Sequence, residues 1–379
     1  MTTDYINPDA AMARALALAE SVLTAAPNPR VGCVIVRDGV VVGEGFHTKA
    51  GEPHAEVNAL QQAGDRARGA TVYVSLEPCS HTGRTPPCSE ALIQAGVAEV
   101  IFAGADPNPQ VCGRGLQRMR EAGIRVHGPT SPVQADAINP GFIKRMRTGL
   151  PWVRCKLAMS LDGRTAMASG ESKWITGPDA RADVQGLRAA SCAVLTGINT
   201  VLADNASLRV RPQQLAPALM AVDPHRQPLR VILDSDLRTP VDAAVLGSPG
   251  RALIFASGEA VAERAAVYPA ELAMIETAPL SADGKLDLHA VLLSLANSHD
   301  CNEVLLEAGP TLSGAMVQAG LVDELVIYMA PSLLGSDAMP LLRLPGLTRM
   351  SERLELAITD VTRLGADCRI TATVLTRTG

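Results

Sequence analysis

Four residues near the start of the chain have the types and spacing of a metal-dependent hydrolytic centre: His54 and Glu56 in the string HAE, and Cys79 and Cys88 in PCSHTGRTPPC. Histidine offers a neutral ring nitrogen and cysteine a thiolate, donors that suit a borderline-soft ion such as zinc. Three protein ligands leave a fourth position for water, whose pKa zinc brings to about 7. Cys88 directly precedes SEALIQAG, and a thiolate at a helix start is favoured by the unpaired first-turn amides. Glu56 follows His54 closely enough to lie beside the open position. There a carboxylate takes a proton from water and delivers protons to the substrate and the departing amine. Blander readings compete with this one. A lone HxE is often structural, two cysteines can simply be buried, and PCxxxxxxxxC lacks the short CxxC spacing of many zinc knuckles. His81 is a rival ligand. The joint order favours catalytic zinc: HAE, a strand, Glu77-Pro78-Cys79, then Cys88 at a helix start.

The surrounding sequence supplies elements to hold these groups. Residues 8–26 read as an Ala/Leu helix ended by Pro27 and Pro29. VGCVIV at 31–36 and VVVGEGF at 40–46 read as strands joined by an Asp38-Gly39 hairpin turn. A helix over 54–63, a strand over 70–76, a helix from Cys88 through Ala95, a strand over 97–106, a helix over 115–122 and a strand over 124–128 follow. That order predicts a three-layer α/β/α domain, assigned to residues 1–150, with the join between Gly128 and Pro151. The basic run in ADAINPGFIKRMRTGLP reads as a solvated helix or a seam rather than a nucleic-acid arm.

A second α/β pattern occupies 151–379, with strands expected at 152–160, 192–197, 229–235, 251–257, 302–309, 324–331 and 369–376. Segment 212–228 reads as a loop, 258–300 has no clear pattern, and the halves share no internal repeat. No GxGxxG follows the first strand, which removes the ordinary dinucleotide fingerprint. KLAMSLDGRTA at 156–166 places polar groups and a glycine at a strand end, and VLLEAGPTLSGAMV at 304–317 reads as strand, turn and helix. Amides near Gly309–Leu312 could receive a phosphate. A turn made only for packing is the commoner explanation of such a string.

Composition narrows the partners. Lys plus Arg number 34 against 39 Asp plus Glu, for a net charge of -5, and aromatic residues are 3% of the chain. Neither a global pull toward nucleic acid nor a stacking platform for bases is expected. No uncharged apolar run approaches the roughly 18 residues of a membrane span, and no signal-peptide pattern opens the chain. The eight cysteines are irregularly spaced, which fits a reducing, cytoplasmic setting rather than a disulfide scaffold.

The longer strings carry a family resemblance. HAE with LEPCSHTGRTPPC, preceded by PNPRVGCVIV, resembles the zinc-dependent cytidine-deaminase superfamily. More narrowly, it resembles the deaminase half of the bifunctional deaminase–reductases of riboflavin biosynthesis. The resemblance implies that His54, Cys79 and Cys88 bind Zn2+, that Glu56 is the catalytic acid/base, and that Asn28 and the His81–Arg84 loop contact the pyrimidine. Asn58 stands where some relatives have histidine. KLAMSLDGRTA and LLEAGPTLSG, with SGESKWIT at 169–176 and TGINTVLADNASLRVR at 196–211, resemble the reductase half, a dihydrofolate-reductase-like domain implied to use NADPH. On that pattern Ala158, Trp174, Thr200, Asp204, Ser235, Gly309, Pro310, Thr311, Leu312, Ser313, Gly314 and Ala315 fall on the cofactor side. Ser172, Arg188, Leu208, Arg211 and Glu307 fall on the substrate side. Arginine's planar fork suits a 5′-phosphate, although Arg188 or Arg211 could equally make an ordinary ion pair, and Trp174 could be a core anchor. Asp204 and Arg211 are the pair expected to position the sugar.

The implied substrate is 2,5-diamino-6-ribosylamino-4(3H)-pyrimidinone 5′-phosphate, a small phosphorylated pyrimidine. It would be deaminated and then reduced with NADPH to 5-amino-6-(5-phospho-D-ribitylamino)uracil. A homodimer is plausible for such a reductase domain, with a monomer as the alternative. The rival readings are a nucleobase or tRNA deaminase fused to an unrelated domain, and a catalytically silent zinc scaffold or nucleotide sensor.

Overall fold

The computed structural model describes residues 5–80, 86–108, 111–215 and 226–375. The His81–Arg84 loop, expected to border the pyrimidine pocket, lies outside the described residues. The chain divides into two compact units, Met1–Leu150 and Pro151–Gly379.

In the first unit the strands are β1 (Gly32–Arg37), β2 (Val40–Phe46), β3 (Thr71–Leu76), β4 (Glu99–Gly104) and β5 (Arg125–His127). They form one sheet in the order β2-β1-β3-β4-β5. β1 runs antiparallel to both neighbours, while β3, β4 and β5 are parallel. Successive side chains of β1 serve opposite faces, as strand geometry demands. Cys33 and Ile35 pack with α2 (Ala55–Ala63), α3 (Cys88–Ala95) and α4 (Arg114–Glu121), whereas Val34 and Val36 pack with α1 (Pro8–Glu20) and α5 (Pro132–Ile138). The result is the three-layer cytidine-deaminase-like architecture expected from the order of elements.

Two details place the chemistry. Asp38 and Gly39, at φ 53° and 79°, make the tight turn that pairs β1 with β2. Gly43 and Gly45 then let α2 lie directly on β2. A Cβ on Gly45 would stand 2.3 Å from the Ala55 carbonyl oxygen, and one on Gly43 2.2 Å from that of Ala59. α1 is shorter than its sequence suggests and stops at Glu20 rather than residue 26. The Ser21 hydroxyl donates to the Leu18 carbonyl at 2.7 Å, occupying the acceptor the next helical turn would use. The basic run at 139–149 forms α6 (Pro140–Thr148), which buries Phe142 and Ile143 against Leu76.

The second unit is built on β6 (Trp152–Ser160), β7 (Arg164–Ala166), β8 (Ala193–Gly197), β9 (Leu229–Leu233), β10 (Ala252–Ala256), β11 (Met274–Thr277), β12 (Glu303–Leu306), β13 (Glu324–Ala330), β14 (Met339–Pro340), β15 (Leu356–Leu364) and β16 (Asp367–Val374). Nine of these form a sheet in the order β11-β10-β9-β8-β12-β6-β13-β16-β15, with β7 and β14 paired separately. Strands β11 through β13 in that order are parallel, and β16 and β15 are antiparallel additions. The helices described here are α7 (Pro178–Ala190), α8 (Ile198–Asp204), α9 (Gly258–Arg264), α10 (Leu288–Asn297) and α11 (Pro310–Gln318). This is the second α/β unit that the strand pattern predicts, a mostly parallel sheet with an antiparallel edge.

The unpatterned stretch 258–300 contains α9, β11 and α10, and β15 was not anticipated at all. β15 is an edge strand with most side chains exposed, so no apolar period marks it. Among the described residues no helix is long and apolar enough to cross a membrane.

Candidate functional site

His54 is the N-cap of α2, Glu56 sits in its first turn, Cys79 follows β3, and Cys88 is the first residue of α3. The end of the central strand and two helix starts therefore converge. The donor atoms of His54, Cys79 and Cys88 all lie within 4.8 Å of one another. His54 Nδ1 is 3.6 Å from Cys79 Sγ and 3.2 Å from Cys88 Sγ. Tetrahedral zinc with its usual bond lengths puts nitrogen and sulfur ligands about 3.5 Å apart, so the residues present fit the ion. No other group of three or more His, Cys, Asp or Glu with this geometry occurs among the described residues.

Charge in this cluster is tightly shared. The Cys88 thiol donates to Cys79, which with His54 and the Cys88 backbone N–H pulls Cys79 down to about 4 despite its burial. Cys88, the donor of that bond, is correspondingly raised. Glu56 is only 3% exposed, and burial, followed by the neighbouring Cys79 charge, pushes its carboxyl up to about 7. A divalent cation among these groups would stabilise every anion in the set.

The structure adds His47, which the sequence reading passed over. Its ring packs edge-on to His54 with centroids 4.8 Å apart, and it is 2% exposed. The Pro53 carbonyl only accepts, so His47 Nδ1–H donates to it at 3.1 Å. Burial lowers the His47 pKa, and in the neutral ring Nε2 must accept, which it does from Asn28 Nδ2 at 2.9 Å. Asn28 is thus tied to the metal cluster through one histidine of defined tautomer. A polar residue closing an otherwise buried hairpin just ahead of HAE was the available signal. Glu77 is buried and accepts the Gly113 N–H at 2.7 Å, a loop-holding role.

In the second unit a cavity of about 1410 Å³ opens at the ends of the parallel strands. Ala158 of β6, Ser172 and Trp174 of the loop after β7, and Arg188 of α7 line it. So do Thr200 and Asp204 of α8, Leu208 and Arg211 beyond it, Ser235 after β9, and Glu307 after β12. Gly309, Pro310, Thr311, Leu312 and Ala315 complete the wall at the start of α11. Ser313 and Gly314 do not line it. The Ser313 hydroxyl donates to the Ala308 carbonyl at 3.1 Å, and a Cβ on Gly314 would meet the Arg343 carbonyl oxygen at 2.0 Å, so both face the packed side of the helix. The amides of Thr311 and Leu312 precede α11's own hydrogen bonding and are oriented for an anion.

Geometry separates the two candidate arginines. Arg188 Nε and Nη2 meet the Glu307 carboxylate at 2.6 and 3.0 Å, and Nη1 donates to the Arg209 carbonyl at 3.0 Å. Burial would raise Glu307, but the Arg188 charge and hydrogen bonds hold it below its ordinary value. Arg188 is thus a committed, wall-forming ion pair. Arg211 is fixed through its backbone N–H to Gln185 at 2.9 Å, and its exposed guanidinium has no partner among the described residues. Trp174 is 67% exposed with the Arg181 guanidinium 4.7 Å from its ring centre, which excludes a core anchor. Lys156 was overlooked. This cavity-lining cation on β6 is depressed by burial and flanked by Glu307 and Arg188. In the sequence Lys156 keeps the polar phase of the 152–160 alternation, between Cys155 and Leu157, and so gave no signal of a buried cation.

Comparison with known proteins covers both units. Residues 6–104 match the cytidine and deoxycytidylate deaminase zinc-binding region, and residues 151–370 match the RibD C-terminal domain. The chain is 50% identical over 360 residues to the riboflavin biosynthesis protein RibD of Escherichia coli, covering 94% of this chain and 96% of that protein. It is 47% identical to the Haemophilus influenzae protein of the same name, covering 96% of each. Among solved structures it resembles Acinetobacter baumannii RibD, with a TM-score of 0.86 at 44% identity, covering 96% of this chain and 98% of that one. It also resembles a Thermotoga maritima diaminohydroxyphosphoribosylaminopyrimidine deaminase/5-amino-6-(5-phosphoribosylamino)uracil reductase, with a TM-score of 0.82 at 30% identity and the same coverage.

Proposed function

The chain belongs to the RibD family of riboflavin biosynthesis, and from that membership we propose that it performs both reactions of the pathway step with zinc in the first unit and NADPH in the second. The substrate is 2,5-diamino-6-ribosylamino-4(3H)-pyrimidinone 5′-phosphate, and the final product is 5-amino-6-(5-phospho-D-ribitylamino)uracil. The observation that carries this reading is the buried Glu56 beside the His54, Cys79 and Cys88 donor set.

His54, Cys79 and Cys88 would hold zinc, which supplies an acidified water for attack on the carbon bearing the 2-amino group. Glu56 accepts the water proton and returns protons to the substrate and to the departing ammonia. Its burial keeps bulk water from it, so that the protons it takes pass to the substrate. Asn28, oriented through His47, positions the pyrimidine. A small free substrate needs no nucleic-acid surface, in keeping with the acidic, aromatic-poor composition.

In the second unit the first-turn amides of α11 would hold the cofactor pyrophosphate, and Arg211 would receive the substrate 5′-phosphate. NADPH bound there would supply hydride chemistry for C1 of the opened ribosyl group. The protein holds the two carbons together and limits solvent, with Glu307 and Arg188 forming a fixed wall and Asp204 placed to orient the sugar.

A coupled assay with the diaminopyrimidinone phosphate, recording ammonia release and NADPH oxidation separately, tests the proposal. Glu56→Gln should retain stoichiometric zinc and lose ammonia release. Full deaminase turnover in that variant, or turnover of cytidine but not of this compound, sinks the assignment.

A further inference from the structure

Asn28 stands in a segment poorly able to fix itself. Pro27 and Pro29 flank it, and a proline has no N–H to donate. The Asn28 N–H donates to the Ala25 carbonyl at 3.1 Å, and its side chain reaches His47. β1 begins only at Gly32, so the sheet ladder does not extend back to Asn28.

Asn139 supplies what this backbone lacks. It is buried, and its side-chain amide meets Arg30 as a neighbouring strand would. Asn139 Oδ1 accepts the Arg30 N–H at 2.7 Å, and Nδ2 donates to the Arg30 carbonyl at 2.9 Å, across a separation of 109 residues in the chain. Both backbone groups of Arg30 are thereby held, two residues from Asn28. Asn139 is held in turn. It is the N-cap of α6, and its carbonyl accepts the Ile143 N–H at 3.0 Å. Phe142 and Ile143 of that helix pack on Leu76 at the end of β3, with Val31 against the same cluster. Leu76 lies three residues before Cys79. The start of α6 therefore ties the Asn28 segment to the strand that delivers a donor of the metal cluster.

We propose that Asn139 is a positioning residue for the deamination. By clamping Arg30 it sets the Asn28 amide beside His47 and the cluster of His54, Cys79 and Cys88, so that α6 takes part in pyrimidine recognition without touching the substrate. The inference rests on the deaminase reading above. A misplacement of about 1 Å in a group that orients a substrate can cost about 100-fold in rate. A buried amide that spends both its donor and its acceptor on one distant residue is the rigid support that prevents such a shift.

A double-mutant cycle in the full-length protein tests this, with ammonia release as the readout. Asn139→Ala should lower kcat/KM for the diaminopyrimidinone phosphate by about 10- to 100-fold. Asn139→Asp keeps an acceptor for the Arg30 N–H and loses the donor, and it should fall between Asn139→Ala and the wild type. Zinc content, and NADPH oxidation on the deaminated uracil compound, should stay at wild-type levels in both variants, which shows that they fold. In an Asn28→Ala background, Asn139→Ala should cost less than about threefold more, because its effect travels through Asn28. Wild-type deamination by Asn139→Ala, losses that multiply in full in the double variant, or loss of zinc and reductase activity in both Asn139 variants would each overturn the proposal. A wild type that releases no ammonia from this compound, or an Asn28→Ala variant with full deaminase activity, would instead overturn the reading beneath it.

Discussion

Arg188 and Arg211 show why residue type underdetermines role. Both are arginines near one cavity, yet Arg188 has spent its donors on Glu307 and the Arg209 carbonyl, while Arg211 keeps its fork open. Arg211→Ala should therefore raise KM for the phosphorylated substrate by about 10- to 100-fold and leave a dephosphorylated analogue nearly unaffected. An equal rise for both compounds in steady-state assays would remove the phosphate contact. The place of Glu56 beside the cluster was readable in advance because it follows His54 by two residues at a helix start. His47 was not, because its assignment depends on an acceptor-only carbonyl on one side and an amide on the other.

At the scale of elements, α2 is the part on which the metal site depends. It brings His54 and Glu56 to the cysteines only because Gly45 leaves room for its first turn. Gly45→Ala forces a backbone overlap that no rotamer change relieves. It should cost about 1–3 kcal/mol of stability and lower zinc content as the helix start shifts. Denaturant melts and metal analysis would show this, and an unchanged variant would mean the sheet accommodates the methyl. The strands and helices around the site were legible from their apolar period, within a residue or two. α1 was overread by six residues because Ala and Leu continue helical composition past the point where Ser21 caps the chain. Edge strand β15 escaped because neither of its faces is well buried.

Across the whole molecule, each compact unit has its own core and its own candidate site. Removing metal with a chelator should then abolish ammonia release yet leave NADPH oxidation intact when the deaminated uracil compound is supplied. Parallel loss of both activities would show that the second centre depends on the first. The sequence alone determined the donor set, the two-part α/β organisation and the family, because ligand types, hydrophobic period and long motif strings are all local properties. Only the tertiary structure decided which cavity arginine is free, which histidine orients Asn28, and that Ser313 and Gly314 turn away from the cavity. Those facts depend on partners distant in the chain, and hydrogen-bond commitment and burial exist only once those partners have met.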